Sequence, residues 1–148
     1  MSFPRGQTAA FAVVVLVAVG SADTCRTGPG EPGAPQVEFT VLGALEAGKD
    51  AAVRVDSVSS GQVVLRGGIG TPTPCYTIRA ELAQRESTLT LTLVATAQPV
   101  VCIQVLAAFE YRARIYGLNA GRYTVEVVAT YPGTGWTPRA DTLQVEIP

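Results

Sequence analysis

Apolar and polar residues alternate most regularly in the C-terminal third of the chain, and the alternation breaks once, at a glycine-containing corner. Apolar side chains occupy the odd-numbered positions of residues 109–115, and they do so again in residues 123–129. A half-buried strand has this period of two, because successive side chains point to opposite faces of a sheet. Gly117 and Gly121 bracket the corner, where glycine permits a turn at positive φ. The pattern predicts two long strands joined at this corner.

The same alternation marks strands elsewhere in the chain. It predicts strands at residues 36–43, 52–58, 62–66, 76–82, 88–93 and 143–147. The strands at 76–82 and 88–93 form a hairpin, with its turn at residues 84–86. Residues 101–106 are apolar as well, and they are predicted to open a strand that continues through a bulge near residues 107–108 into the 109–115 stretch.

Two stretches are predicted to be loops. Residues 67–74 hold three glycines and two prolines in eight positions, which excludes a helix or a central strand. Residues 131–139 place the only tryptophan between glycines and prolines. Aromatic and arginine side chains are enriched in binding hot spots, and loops carry much of protein function. The candidate binding residues are Ile69, Thr71 and Pro72 in the first loop and Tyr131, Trp136 and Arg139 in the second.

The second loop has an alternative interpretation that involves no binding. In that interpretation, Trp136 folds back over one open end of the domain and Tyr131 is the last core residue of its strand.

Short strands separated by turn signals, with no helical pattern after the N-terminal segment, predict an all-β fold. We expect an antiparallel, immunoglobulin-like β-sandwich of about seven strands over residues 37–148. Tyr123 follows the corner and begins an inward-facing series, as the residue of a tyrosine corner does. Residues 115–118 (IYGL) and 120–125 (AGRYTV) resemble fibronectin type III and related immunoglobulin-like modules of exported bacterial proteins. The resemblance implies a fold and no particular activity.

The N-terminus has the pattern of an export signal. Residues 9–20 form an apolar run of 12 after Arg5, which is shorter than the roughly 20 residues of a membrane-spanning helix. We therefore interpret residues 1–24 as a signal peptide and residues 25–36 as a tether rich in glycine and proline. Small residues near position 20 would also permit simple cleavage, which would give a soluble secreted or periplasmic protein.

Cys25 follows the apolar run and precedes the tether, and this layout resembles bacterial lipoproteins. The resemblance implies that Cys25 is lipid-modified and becomes the mature N-terminus. The cysteine count favours the anchor, because pairing two of the three cysteines leaves one over in an exported protein. A membrane-anchored lipoprotein is therefore the first expectation, and soluble export stays open.

Cys75 and Cys102 are predicted to form a disulfide. Cys75 begins the first strand of the predicted hairpin, and Cys102 begins the strand that follows the hairpin, so both should lie at one end of a sheet. A disulfide there closes a loop of 26 intervening residues, at a rim or outer face. A metal or redox site is the alternative, which the absence of histidine and of a CxxC motif disfavours.

Composition argues against catalysis. The chain has no histidine, which removes the usual general base and the commonest metal ligand, and Lys49 is its only lysine. The carboxylates are singly placed, and we interpret Arg112, Arg114 and Arg122 as a solvated face, with an anionic ligand as the alternative. A net charge of −1 without a basic stripe disfavours nucleic acid. No cofactor and no metal are expected.

Two functions remain. The first is a non-catalytic, exported cell-envelope module with a binding or structural role and an unidentified envelope partner. The second is an inhibitor of exported proteases that acts through the 67–74 loop, whose prolines and adjoining cysteine would hold it rigid.

Overall fold

A computed structural model describes residues 33–46 and 51–148 of the chain. This part of the chain contains eight strands and no helix, which confirms the all-β prediction. The strands are β1 (Gln36–Ala44), β2 (Arg54–Ser59), β3 (Gln62–Thr71), β4 (Tyr76–Arg85), β5 (Thr88–Ala97), β6 (Ala107–Tyr116), β7 (Gly121–Thr130) and β8 (Arg139–Ile147).

The strands form two four-stranded sheets that pack as a sandwich. Sheet 1 has the order β1-β6-β3-β2, and sheet 2 has the order β4-β5-β7-β8. All pairs are antiparallel except β5 and β7, which are parallel because β6 lies between them in sequence and crosses to sheet 1. The predicted β-sandwich is confirmed, and sheet 2 is mixed because of this one parallel pair. The strand order also differs from the ABED and CFG order of immunoglobulin constant domains, although the sandwich architecture is shared.

The core lies between the sheets and is built from alternate residues of the inner strands. Leu89, Leu91 and Leu93 of β5 are buried while the threonines between them face outward. On the facing sheet, Tyr111 is fully buried, and its ring lies 5.6 Å from that of Phe39 between centroids. The predicted period of two thus places the apolar face of each inner strand in the core.

The corner between β6 and β7 carries the chain from sheet 1 to sheet 2. Gly117 and Gly121 both have positive φ, at 81° and 146°. The hydroxyl of Tyr123 donates a hydrogen bond to the carbonyl oxygen of Asn119 at 3.2 Å. This is the backward bond that defines a tyrosine corner, and it confirms the interpretation of Tyr123.

The prediction of a loop at residues 67–74 is wrong for its first five residues. β3 continues to Thr71 and pairs with β6 along its whole length. The glycines make room for neighbouring groups: a Cβ at Gly67 would lie 2.7 Å from the Tyr111 hydroxyl, and one at Gly68 would lie 2.7 Å from the Ala51 Cβ. These two glycines therefore allow neighbouring residues to pack closely against the strand. Only residues 72–74 of the predicted loop lie in a connection.

The prediction of a strand at residues 101–106 is also wrong. β6 begins only at Ala107, and residues 98–106 form a connection that crosses from sheet 2 to sheet 1. These residues have strand-like composition, but they pair with no strand in the described part of the chain.

The two ends of the sandwich differ in what they carry. The loop end holds the connections at residues 72–75, 98–106 and 131–138, together with the end of β1. The turn end holds the short turns after β2, β4 and β6, the first residue of β1 and the last residue of β8. Strands of ten residues separate the two ends by about 30 Å, at roughly 3.3 Å per residue. Residues 33–46 and 51–148 contain no helix that is long and apolar enough to cross a membrane.

Candidate functional site

The most unusual surface of the protein is the connection between β5 and β6. Its apolar residues face solvent: Val101 is 104% exposed, Leu106 79% and Ile103 67%, and Val100 and Val105 are each about half exposed. We call residues 100–106 the apolar segment. Residues 98–106 include no charged side chain. Isolated exposed hydrophobic residues are ordinary, but a contiguous uncharged run of them marks an interaction surface.

A disulfide fixes the middle of the apolar segment. Cys102 is bonded to Cys75, and the two Cα atoms lie 6.1 Å apart. The backbone N–H of Gln98 also donates to the Cys75 carbonyl at 3.0 Å. The predicted disulfide is confirmed and lies at the rim of the loop end, as expected, although Cys102 does not begin a strand. The apolar segment is therefore held against the start of β4 on a defined path.

The backbone of the apolar segment is almost unpaired. Its first residue, Val100, donates to Gln98 at 2.8 Å, and the side chain of Gln104 donates to the carbonyl oxygen of Cys102 at 3.2 Å. Among the described residues, no backbone hydrogen bond joins residues 101–106 to another part of the chain. Backbone N–H and C=O groups need partners, so these groups are left for solvent or a binding partner.

Trp136 lies at the same end and partly covers the core. Its ring meets the edge of the Tyr131 ring at 5.2 Å between centroids, and it approaches Gly70 of β3. Thr134 stabilises the loop, because its hydroxyl donates to the Tyr131 carbonyl at 2.9 Å and accepts the Trp136 N–H at 3.2 Å. Tyr131 is buried, so it is the last core residue of its strand. Trp136 packs over the open end of the sandwich but keeps 38% of its surface exposed. This is the loop end, which also carries the apolar segment.

Arg139 lies at the start of β8 and pairs with Asp141 at 3.5 Å. These two residues and Tyr111 line a cavity of about 30 Å³, far smaller than the hundreds of Å³ typical of small-molecule sites. The hydroxyl of Tyr111 is buried without a hydrogen-bond partner among the described residues. Burial raises the pKa of Tyr111, Asp141 raises it further, and Arg139 opposes the change. Burial also raises the pKa of Tyr131, so both phenols stay neutral at physiological pH.

The remaining predicted site residues are not brought together. Ile69 and Thr71 are buried in β3, and the Thr71 hydroxyl donates to the Thr73 carbonyl at 2.7 Å. Pro72 is half-buried at the rim. Cys25 lies outside the described residues. In the described part of the chain, no group of three or more His, Cys, Asp or Glu side chains could hold a metal ion.

Sequence reasoning missed the apolar segment as a site, because the pattern of residues 101–106 is that of a strand. The only signal in the sequence was that residues 98–106 contain no charged side chain, and a buried strand has the same property. Pairing decides between a buried strand and an exposed surface, and the pattern does not specify pairing.

No protein-family model matches this chain, and it has no match among curated proteins or solved structures.

Proposed function

We propose that this protein is a non-catalytic, exported binding module that is tethered at its turn end and contacts a protein partner through the apolar segment. The observation that carries the proposal is the exposure of five large apolar side chains on an uncharged connection whose backbone is nearly unpaired. Export is supported by the disulfide, which persists in oxidising compartments, and by the signal-like pattern of residues 1–24.

The energy available at the apolar segment is substantial. Fully burying a valine, leucine or isoleucine side chain contributes about 1.5–3 kcal/mol, so covering the exposed parts of these five contributes roughly 5–10 kcal/mol. Association itself costs about 4–15 kcal/mol. The apolar contact alone is therefore marginal, and the partner must also bond the free backbone groups or cover Trp136. Strand addition to the segment would supply those backbone bonds.

The orientation of the domain favours an outward-facing contact. β1 begins at the turn end, so the chain that precedes it attaches there. If residues 26–35 behave as a flexible tether, their r.m.s. reach is roughly 17 Å. With the apolar segment about 30 Å from the attachment point, a lipid at Cys25 would leave the segment pointing away from the membrane that holds it.

The chemistry of the segment favours a protein over a lipid surface. Protein segments that bind membranes combine apolar side chains with lysine or arginine, which interact with anionic headgroups. Residues 98–106 contain neither. An uncharged strand-like segment suits an apolar protein surface with an accessible sheet edge.

The hypothesis of protease inhibition depended on an exposed loop at residues 67–74, and most of that loop is absent. Five of those eight residues belong to β3, where they pair with β6, and Ile69 and Thr71 are buried. No observation favours this second function.

Site-specific photocrosslinking in cells tests the proposal. A photoreactive amino acid at Ile103 should form a discrete protein adduct, and the same group at Val58 should not. Val58 is an exposed apolar residue of β2 near the turn end, so it is the matched control. Ile103→Asp should abolish adducts formed from a probe at Leu106, while Val58→Asp should leave them unchanged. Adducts with lipid alone, or equal adducts from positions 103 and 58, would contradict the proposal.

A further inference from the structure

The outer face of sheet 1 carries three arginines in one cross-strand row. Arg112 of β6 is directly opposite Arg66 of β3, and Arg66 is directly opposite Arg54 of β2. On the other side of Arg112, the row ends at Thr40 of β1. Directly opposed residues have Cβ atoms about 4.5–5.5 Å apart, where like charges destabilise a sheet. Three arginines in such a row require compensation.

Nearby carboxylates compensate two of the three. Glu110 lies 3.6 Å from the Arg66 guanidinium and 3.8 Å from that of Arg54, and Asp56 lies 3.5 Å from Arg66. Arg112 forms no ion pair with any residue in the described part of the chain. The Nε of Arg66 is also buried and lacks a hydrogen bond of good geometry. The positive charge of Arg112, at one end of the arginine row, is therefore uncompensated among the described residues.

A depression of about 220 Å³ lies beside that charge, and its walls are Glu38, Thr40, Arg112 and Arg114. Arg114 is already held in place: its Nε donates to Gln62 at 2.9 Å and its guanidinium lies 3.6 Å from Glu38. Since Arg114 engages Glu38, that carboxylate is neutralised. Arg112 keeps its five N–H donors for a ligand, and the Thr40 hydroxyl can donate from the opposite wall.

We propose that this depression binds a phosphate or sulfate group, held by Arg112 and Thr40, while Arg114 neutralises the Glu38 carboxylate in its wall. The planar guanidinium binds tetrahedral oxyanions through two parallel hydrogen bonds. A bound oxyanion supplies the negative charge that the arginine row lacks. The site shares no residue with the apolar segment, so the two proposals stand or fall separately.

Arg122 does not belong to this site, although the sequence grouped it with Arg112 and Arg114. It lies on β7 in sheet 2 and pairs with Glu146 at 4.0 Å. Arg122 is therefore a matched control for substitution of a solvent-exposed arginine.

Titration of the purified mature protein with sodium phosphate and sodium sulfate tests the site, with sodium chloride at matched ionic strength as the reference. The Arg112 Nε resonance should shift saturably with the oxyanions. Arg112→Gln should weaken binding at least tenfold, and Thr40→Val should weaken it by a few fold. Arg122→Gln should leave the affinity unchanged. Arg112 has no ion-pair partner among the described residues and lies directly opposite Arg66, so Arg112→Gln should keep or raise the melting temperature of the parent, which shows that the variant is folded.

Two further arms identify the source of the group. Glycerol phosphate tests a soluble monoester, and vesicles of phosphatidylglycerol in phosphatidylcholine test a lipid headgroup. Binding in either arm that Arg112→Gln removes and Arg122→Gln retains supports the site. The proposal is overturned if neither inorganic oxyanion binds above chloride, or if the two arginine variants weaken binding equally.

Discussion

Replacing Gly67 with alanine tests whether β3 packs against Tyr111 as described. A Cβ at this position would lie 2.7 Å from the Tyr111 hydroxyl oxygen and 3.0 Å from its Cζ. Tyr111 is fully buried, so its ring has little room to move. Gly70 lies on the same strand, and a Cβ there would meet its nearest atoms at 3.9 Å, an ordinary contact. Gly70→Ala is therefore the matched control.

The expected cost of Gly67→Ala is that of overpacking a core, about 1–3 kcal/mol. For a domain of this size, that lowers the melting temperature by about 4 °C per kcal/mol. Tyr111→Phe removes the atom that the new Cβ meets, and it breaks no hydrogen bond to the described residues. In a Tyr111→Phe background, Gly67→Ala should therefore cost at least about 1 kcal/mol less than in the parent.

Urea denaturation of the parent, both single variants and the double variant measures this coupling. Gly70→Ala should change the unfolding free energy by under about 1 kcal/mol, since it fits and lowers the entropy of the unfolded chain. The reasoning is refuted if Gly67→Ala costs the same with and without the tyrosine hydroxyl, or if Gly70→Ala is equally costly. In a flexible loop at residues 67–71, both substitutions would be nearly neutral, and that result would also contradict the packing described here.

Three further predictions concern the disulfide, a buried phenol and the anchor. Replacing Cys75 and Cys102 with alanine should lower the unfolding free energy in urea by about 3.5 kcal/mol, and an unchanged value would mean that the bridge does not form. Burial raises the pKa of Tyr111, so stability should be constant up to about pH 10 and then fall by up to about 1.4 kcal/mol per pH unit. Tyr111→Phe should reduce that alkaline fall, and an identical profile would contradict the burial. Cys25→Ala should move the protein from the detergent phase to the aqueous phase, whereas a parent protein already in the aqueous phase would reject the lipid anchor.

The period of two predicted much of the fold, because an inner strand must bury one face and expose the other. It located the hairpin of β4 and β5 and both strands around the 117–121 corner. Tyr123 could be assigned to a tyrosine corner because the turn and the inward series are both local features of the sequence.

Predictions from the alternation of apolar and polar residues were wrong where a residue's role depends on a neighbour that is distant in sequence. Three glycines within residues 67–70 predicted a break in the strand, yet Gly67 and Gly68 allow Tyr111, Leu45 and Ala51 to approach it. Those contacts join segments far apart in sequence, so no local rule predicts them. The sequence pattern does not predict the parallel pairing of β5 with β7 either, because that pairing arises only when β6 lies in the other sheet.

The apolar segment shows the opposite failure. Its composition is typical of a strand, but it pairs with none of the edge strands in the described part of the chain. The mismatch between strand-like composition and missing pairing is itself the basis for assigning a binding role.

Hydrogen exchange measures directly whether the apolar segment is covered by a partner in the envelope. Mass spectrometry of a peptide covering residues 100–106, released under reducing quench, would compare the purified protein with the protein in its native envelope. In the purified protein the amides of residues 101–106 should exchange rapidly, because these N–H groups have no backbone acceptor among the described residues. In the envelope, a bound partner should slow their exchange while the turn at residues 60–61 stays unchanged. Equally rapid exchange of residues 100–106 in both samples would contradict the claim that this segment is a binding surface.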